Sequence, residues 1–155
     1  MNIAVAQSGG PTVAINASLM GVFEESLKSP QIDKIYGSLN GIEGIINDNL
    51  VILNELVKSA EDIELVKTTP ATVLGSCRYK MPSPEKDGTV YEKIIETFKK
   101  YDIGAFFYIG GNDSMDTVKK LSIYNEFKKA DVKFMGVPKT IDNDLVVTDH
   151  TPGFG

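Results

Sequence analysis

Residues 104–137, GAFFYIGGNDSMDTVKKLSIYNEFKKADVKFMGV, contain the pattern that decides the fold. Gly104–Ile109 is a continuous apolar run, which is typical of a strand that is buried on both faces. Ser114 to about Lys129 follows with apolar residues at helical spacing, and Val132–Val137 is a second strand pattern. The residues expected to face the core are Met115, Val118, Leu121 and Phe127. A strand, a helix and a strand in this order predict a right-handed crossover between parallel strands.

The same alternation continues towards the N-terminus. The sequence predicts strands at Asn2–Ala6, Ile32–Tyr36 and Thr69–Leu74, and helices from Val13 to about Lys28 and from Thr89 to about Lys100. Helices that alternate with strands in this way cover both faces of one sheet. We therefore expect an α/β chain with a doubly wound, mostly parallel sheet, arranged as a Rossmann-like three-layer sandwich.

The composition is that of a globular chain. Of its 155 residues, 42% are hydrophobic and 24% are charged, which excludes a mostly disordered chain. The net charge of -5 argues against a general nucleic-acid binder, and no apolar run approaches the length of a membrane span. Met1 begins on a strand pattern without a basic segment before it, and the single Cys77 fits a reducing compartment. The expected location is the cytoplasm, with no membrane and no nucleic acid as partner.

Four polar or glycine-rich segments follow predicted strands. They are Ser8–Thr12, Gly75–Arg78, Gly110–Ser114 and Pro138–Asp144. In an open parallel sheet, ligands bind beyond the carboxyl ends of the strands. The four segments together therefore predict one binding site at one edge of the sheet.

The two glycine pairs are each compatible with two interpretations. Gly9 and Gly10 come between a strand and a helix, where the backbone can approach an anion closely and helix N–H groups are available. The alternative is an ordinary tight turn. In the second pair, Asp113 or Ser114 can cap a helix, or the segment can cradle a phosphate with polar side chains near a metal.

Charged side chains mark the other two segments. Lys139, Asp142 and Asp144 lie close together in the chain, and in an extended segment the two carboxylates would point the same way. One carboxylate could then act as a base while the other organises a metal, or the segment is a solvated acidic turn. Arg78 suits the stabilisation of a transferring phosphoryl group, and its alternative is a surface cation. His150, the only histidine, has no neighbouring pattern that indicates a site.

Taken together, the segments resemble the phosphofructokinase family. The matching pieces are Ser8–Asn16, Leu74–Arg78, Gly110–Ser114 and Pro138–Asp144, and they occur in the family's order. The Thr-Ile-Asp-Asn-Asp run that begins at Thr140 is highly specific. The resemblance implies transfer of a phosphoryl group to the 1-hydroxyl of fructose 6-phosphate, a step of glycolysis. It also implies that the chain is the N-terminal, donor-binding lobe of a two-lobe fold.

The resemblance further implies roles for single residues. The catalytic residues would be Asp142 as proton acceptor, with Lys139, Asp113 and Arg78. The diphosphate-binding residues would be Gly9, Gly10, Gly111 and Lys139, and the substrate-binding residues Thr140, Ile141 and Asp142. The cofactor would be Mg²⁺, held by Asp144 and Asn112. The family's usual residue at the latter position is aspartate, and asparagine can ligate through its carbonyl oxygen without the charge.

Three features favour inorganic diphosphate over ATP as the phosphoryl donor. ATP-dependent members resemble each other in having Gly-Gly-Asp-Gly, with a glycine where this chain has Asp113, whose bulk and negative charge would repel a nucleotide phosphate. Diphosphate-dependent members are similar to this chain there and also carry the lysine seen here as Lys139. Some ATP-dependent members place an aromatic residue near Gly41, where this chain has Ile42.

The alternatives are an ATP-dependent 6-phosphofructokinase, a non-catalytic regulatory subunit on the same fold, and, more distantly, a lipid, diacylglycerol or NAD kinase. The presence of Asp142, Lys139 and Arg78 argues against the regulatory subunit. The family's habit implies a homo-oligomer, a dimer or a tetramer. Family members are about twice as long or more, so we expect residues 1–155 to be a donor-binding lobe cut after the glycine-rich residues 153–155, without the second, sugar-phosphate-binding lobe.

Overall fold

The computed structural model describes residues 1–148 and 151, and these form five strands and six helices. The strands are β1 (Asn2–Gln7), β2 (Ile35–Ser38), β3 (Leu50–Ile52), β4 (Ile103–Gly110) and β5 (Lys133–Pro138). The helices are α1 (Ile15–Leu27), α2 (Ile42–Ile46), α3 (Leu53–Leu56), α4 (Ala60–Thr68), α5 (Thr89–Lys100) and α6 (Asn112–Lys128). His150 and residues 153–155 lie outside the described residues.

The five strands form one sheet in the order β3-β2-β1-β4-β5. Strand β1 pairs in parallel with β2 on one side and with β4 on the other, and β4 pairs in parallel with β5. Only the short β3 runs antiparallel to its neighbour β2. The predicted α/β class with a mostly parallel sheet is confirmed.

The sheet reverses its direction of growth between β1 and β4. From β1 the chain crosses through α1 to β2, whereas from β4 it crosses through α6 to β5 on the opposite side. Right-handed crossovers that grow in opposite directions leave their helices on opposite faces, and a crevice opens between the two strand ends. The glycine pairs that follow β1 and β4 therefore lie at the point where such sheets bind ligands.

Two apolar cores cover the two faces of the sheet. Along β1, Ile3 and Val5 belong to one core while Ala4 and Ala6 belong to the other, because successive strand residues point to opposite faces. The first core is completed by α1 and receives Ile63 and Val66 of α4, and the second by α2, α5 and α6. This is the predicted three-layer arrangement.

The strand predicted at Thr69–Leu74 is wrong, because these residues form a loop. Two buried side-chain amides hold that loop in place of a strand ladder. Asn16 donates to the Thr69 carbonyl at 2.8 Å and accepts from the Val73 N–H at 3.1 Å. Gln7 accepts from the Leu74 N–H at 3.1 Å. The loop can satisfy its backbone through these side chains, so its apolar residues need no neighbouring strand.

Other local expectations are also corrected. Phe127 is 80% exposed, because the buried face of α6 is formed by Ser114, Thr117, Leu121 and Tyr124 instead. The sequence pattern missed α4, which begins with a capping box between Ser59 and Asp62. It also missed β3, whose three residues are too few to show a period. Among the described residues, no helix is both long and apolar enough to span a bilayer.

Candidate functional site

The turn after β1 lies at the centre of the candidate site. Gly9 has φ +78°, a left-handed conformation that favours glycine because other residues place a Cβ too close to the backbone. Both Gly9 and Gly10 are half-buried. Helix α1 begins at Ile15, a few residues later, so the turn and the start of the helix share one edge of the sheet.

Lys139 reaches this turn from the end of β5. Its backbone N–H donates to the Gly110 carbonyl at 2.9 Å, which continues the pairing of β5 with β4. Its ammonium group then extends past the end of β4 and donates to the Gly10 carbonyl at 2.6 Å. A Cβ added to Gly9 would lie 3.7 Å from the same ammonium nitrogen. A positive charge is thereby fixed beside the glycine turn.

The second glycine pair approaches the same point from β4. The backbone nitrogen of Gly111 lies 3.8 Å from where a Gly9 Cβ would stand. Gly110 packs against Ser114, and a Cβ at Gly110 would collide with the Ser114 Oγ at 2.1 Å. Helix α6 starts directly after this turn, so its N-terminal dipole also faces this region. The structure thus brings Gly9, Gly10, Gly111 and Lys139 together.

The segment that contains Arg78 reaches the site without following a strand. The Ser76 hydroxyl donates to the Gly9 carbonyl at 2.6 Å, and the Gly9 N–H donates to the Cys77 carbonyl at 3.4 Å. The Ser8 hydroxyl donates to the same Cys77 carbonyl at 3.2 Å. These bonds place the Arg78 backbone next to the glycine turn, and the Arg78 side chain is exposed.

Cys77 anchors this segment in the core. Its side chain is buried beside Gly41, where an added Cβ would meet the Cys77 sulfur at 2.6 Å. The Cys77 sulfur also lies 3.8 Å from the Tyr108 hydroxyl, which accepts from the Ile42 N–H at 3.2 Å. Burial raises the pKa of Tyr108 well above its usual value, so the hydroxyl stays protonated. Ile42 is buried here and offers no exposed surface on which the adenine ring of a nucleotide could stack.

The acidic segment after β5 forms a turn and is not extended. The Thr140 hydroxyl donates to the Asp144 carboxylate and accepts from the Asp142 N–H at 3.1 Å. Asn143 has φ +57°, so the chain bends between the two aspartates. The condition under which Asp142 and Asp144 would point the same way, an extended segment, is therefore not met, and the segment forms the alternative, an acidic turn. Both carboxylates are exposed in this structure.

Ile141 projects from this turn towards the loops that follow β1 and α4. It is 42% exposed and lines a shallow apolar depression with Pro11, Thr12, Val13, Pro70 and Ala71. The Thr151 hydroxyl donates to the Ile141 carbonyl at 3.0 Å. Ile141, one of the predicted substrate-binding residues, thus lies beside Pro11, which follows the predicted diphosphate-binding turn.

The two residues assigned to a metal provide oxygen atoms of different kinds. Asp144 offers a carboxylate, and Asn112 offers an amide oxygen at the exposed start of α6. Within the part of the chain that is described, no three His, Cys, Asp or Glu side chains gather in one place. Mg²⁺ commonly binds one or two carboxylates and completes its octahedron with waters and substrate phosphates. Asn112 and Asp144 thus carry oxygen atoms of the kind that Mg²⁺ accepts.

Two buried polar side chains that the sequence pattern did not reveal hold the backbone around the site. Gln7 and Asn16 are almost completely buried, and the Gln7 amide donates to the Asn16 side-chain oxygen at 2.8 Å. Gln7 also donates to the Ile15 carbonyl at 3.2 Å. An amide at the end of the apolar run Asn2–Ala6, and another on the inner face of a helix, were the signals available. Buried polar groups of this kind require partners.

Comparison with known proteins shows which family this chain resembles. A family model described as phosphofructokinase matches residues 2–155. A curated relative from Methylococcus capsulatus, named pyrophosphate–fructose 6-phosphate 1-phosphotransferase, is 44% identical over 155 residues. The match covers 99% of this chain and 36% of that protein. The chain therefore spans about a third of the length of the curated relative.

Solved structures give the same picture. A pyrophosphate-dependent phosphofructokinase from Nitrosospira multiformis superposes with a TM-score of 0.88 at 42% identity, covering 98% of this chain and 37% of that one. A second, from Marinobacter aquaeolei, gives 0.84 at 44% identity, covering 98% of this chain and 36% of the other.

Proposed function

The chain belongs to the phosphofructokinase family, and on that basis we propose that it forms the phosphoryl-donor-binding lobe of a diphosphate-dependent enzyme. The enzyme would move a phosphoryl group from inorganic diphosphate to the 1-hydroxyl of fructose 6-phosphate, giving fructose 1,6-bisphosphate. The observation that carries the proposal is the Lys139 ammonium group, held 2.6 Å from the Gly10 carbonyl beside Gly9 and Gly111. The curated relatives are named pyrophosphate–fructose 6-phosphate 1-phosphotransferase, which supports the same reaction here.

The glycine turns and Lys139 bind the donor in this proposal. The Gly9 N–H is bonded to the Cys77 carbonyl, so the donors to the anion are the backbone N–H groups of Gly10 and Gly111. The dipole of α6 also favours negative charge at its N-terminus. The Lys139 ammonium holds the phosphate that leaves. Phosphoryl transfer depends mainly on such positioning and charge stabilisation, because the transition state needs little covalent help from the protein.

The acidic turn supplies the base. Asp142 accepts the proton of the 1-hydroxyl of fructose 6-phosphate. The oxygen of that hydroxyl attacks the phosphorus, and the bond from phosphorus to the bridging oxygen of diphosphate breaks. Arg78 offsets negative charge on the transferring group. Thr140 and Ile141 position the sugar phosphate, together with Asp142. Asn112 and Asp144 would hold Mg²⁺, which when bound neutralises charge on the phosphate oxygens.

Asp113 accounts for the choice of donor. It lies exposed in the first turn of α6, two positions after Gly111. A carboxylate there repels a third phosphate more than it repels diphosphate held by Lys139. The buried Ile42 also leaves no aromatic ring for an adenine base.

The full enzyme needs more than this chain. Because the chain spans about 36% of its curated relatives, we propose that a second lobe completes the sugar-phosphate site. We also propose a cytoplasmic homo-oligomer, a dimer or a tetramer, in which a neighbouring subunit contributes to that site. Its partners are diphosphate and fructose 6-phosphate, with no membrane and no nucleic acid.

A donor assay on the full-length protein that carries this chain tests the proposal. Fructose 1,6-bisphosphate formation is followed through a coupled assay with diphosphate or ATP at equal concentrations, each with magnesium. We expect turnover with diphosphate and little with ATP. Turnover with ATP alone would show an ATP-dependent 6-phosphofructokinase. A protein that binds the substrates but turns over neither donor would be a regulatory subunit.

A further inference from the structure

The Gly9-Gly10 turn offers two carbonyl oxygens as well as its N–H groups. A carbonyl oxygen carries partial negative charge and repels a phosphate, so an anion-binding turn must direct its carbonyls elsewhere. Both are bonded here, by side chains from two different segments of the chain. The Gly9 carbonyl accepts from Ser76, and the Gly10 carbonyl accepts from Lys139, each at 2.6 Å. The Gly9 N–H donates to the Cys77 carbonyl, so the N–H group that the turn can offer to a ligand is that of Gly10, opposite the Gly9 carbonyl in the same trans peptide.

The hydrogen bond from Ser76 connects two segments that no strand pairing joins. Ser76 lies 67 positions from Gly9 in the chain, and its segment follows a loop. That loop is fixed by the Leu74 N–H donating to Gln7 and by the Asn40 N–H donating to the Leu74 carbonyl at 2.8 Å. These two bonds fix the backbone of Leu74, two positions before Ser76, and so position the Ser76 hydroxyl next to the turn.

Glycine at position 9 makes this restraint necessary. A peptide flanked by two glycines can rotate at low cost, because neither residue has a Cβ that restricts φ. Rotation of the Gly9-Gly10 peptide would turn the Gly9 oxygen towards the anion side. A half-buried Gly9 carbonyl that loses the Ser76 hydroxyl would also lose the free energy of that bond.

We propose that Ser76 is a positioning residue for diphosphate. Its hydroxyl keeps the Gly9 carbonyl turned away from the bound anion and so presents the Gly10 N–H, on the opposite side of the same peptide, to the phosphate. The proposal rests on the proposed function of this site as a diphosphate site. Ser76 itself does not touch the reacting atoms. The effect is therefore on the affinity for diphosphate and not on the transfer step.

Ser76→Ala in the full-length protein tests this inference. Loss of one hydrogen bond in the binding surface should raise the KM for diphosphate about five- to tenfold. The kcat and the KM for fructose 6-phosphate should stay within about twofold of the wild type. Ser76→Thr keeps a hydroxyl on the same carbon and should restore the KM for diphosphate. Titration calorimetry with inorganic diphosphate and magnesium should show the same change in affinity.

Ser26→Ala is the matched control. The Ser26 hydroxyl also donates to a backbone carbonyl at 2.6 Å, that of Val22, but it lies near the C-terminal end of α1. Both alanine variants lose the same kind of bond, and both should melt at slightly lower temperature. Only Ser76→Ala should change the KM for diphosphate. An equal change in both variants, or an equal rise of both KM values in Ser76→Ala, would overturn the inference.

The two proposals fail in different ways. If the wild-type protein neither binds nor turns over diphosphate, the proposed function is wrong and the inference falls with it. If the wild type turns over diphosphate and Ser76→Ala keeps the wild-type KM for it, only the role of Ser76 is wrong.

Discussion

The glycine turn after β1 and the acidic turn after β5 are held in different ways. The Gly9-Gly10 turn is bonded by Ser76, 67 positions away, and by Lys139, 129 positions away. The acidic turn is held mostly by bonds of its own, from Thr140 to Asp144 and from the Asp142 N–H to Thr140. Its carboxylates are exposed, while the glycines are half-buried. The donor surface is therefore built by the fold of this chain, whereas the proposed base stands on a locally formed turn.

The largest effect on activity is expected from the acidic turn after β5, whose carboxylates are exposed. Asp142→Asn in the full-length protein should lower kcat by about 10²–10⁴, because the amide cannot accept the proton. The KM for diphosphate should change by less than about twofold, and the melting temperature should hold, since Asp142 is exposed. Steady-state kinetics measure both constants. Asp131→Asn, another exposed aspartate, is the control, and a comparable loss of kcat there would contradict the assignment.

A smaller effect is expected on the donor side. Lys139→Ala removes the charge and the hydrogen bond to Gly10, so the KM for diphosphate should rise about 10- to 100-fold. Lys133→Ala, at the other end of β5, should leave that KM unchanged because its side chain is exposed far from the turn. An unchanged KM in Lys139→Ala would separate the lysine from donor binding.

A third variant examines the backbone of the glycine turn. Gly9→Ala forces a Cβ into a left-handed conformation and should lower the free energy of unfolding by about 1–2 kcal/mol. Gly21→Ala is the opposite control. A Cβ there meets nothing within 4 Å inside α1, so alanine should stabilise by about 0.5–1 kcal/mol. Urea unfolding followed by circular dichroism measures both, and a shift of the same sign would contradict the argument.

The smallest effect is expected in the acidic turn. Thr140→Ala removes the bonds to Asp144 and to the Asp142 N–H. Both aspartates are exposed, and Thr140 is half-buried. Water replaces such bonds, so the free energy of unfolding should stay within about 0.5 kcal/mol of the wild type. The same urea titration measures it. A loss above about 1 kcal/mol would mean that the fold also supports this turn.

Much of the architecture was available from local patterns. The apolar runs at β1, β4 and β5 and the spacing in α1 and α5 predicted strands and helices close to their observed positions. Thr69–Leu74 was misjudged because its apolar residues look like a strand when the bonds from Asn16 and Gln7 are unknown. Phe127 was misjudged because several helix faces carry apolar residues, and only packing selects one.

In the candidate site, too, some features could be predicted from the sequence and others could not. The sequence supplied the residue types, because glycines, a lysine and two aspartates after apolar runs are recognisable without a structure. Their grouping by family was also available, and the match over residues 2–155 confirmed it. Ser76, Gln7 and Asn16 were not identified, because a hydroxyl or an amide has no periodic pattern that reveals its partner.

By itself, the sequence determined that strands and helices alternate and which chemical groups follow the strands. The order of strands, β3-β2-β1-β4-β5, was decided only by the tertiary structure. That order places the ends of β1, β4 and β5 side by side, and so Lys139 can reach Gly10 past β4. Local spacing fixes the period of a strand or helix, but contacts across many residues depend on how all the elements pack together.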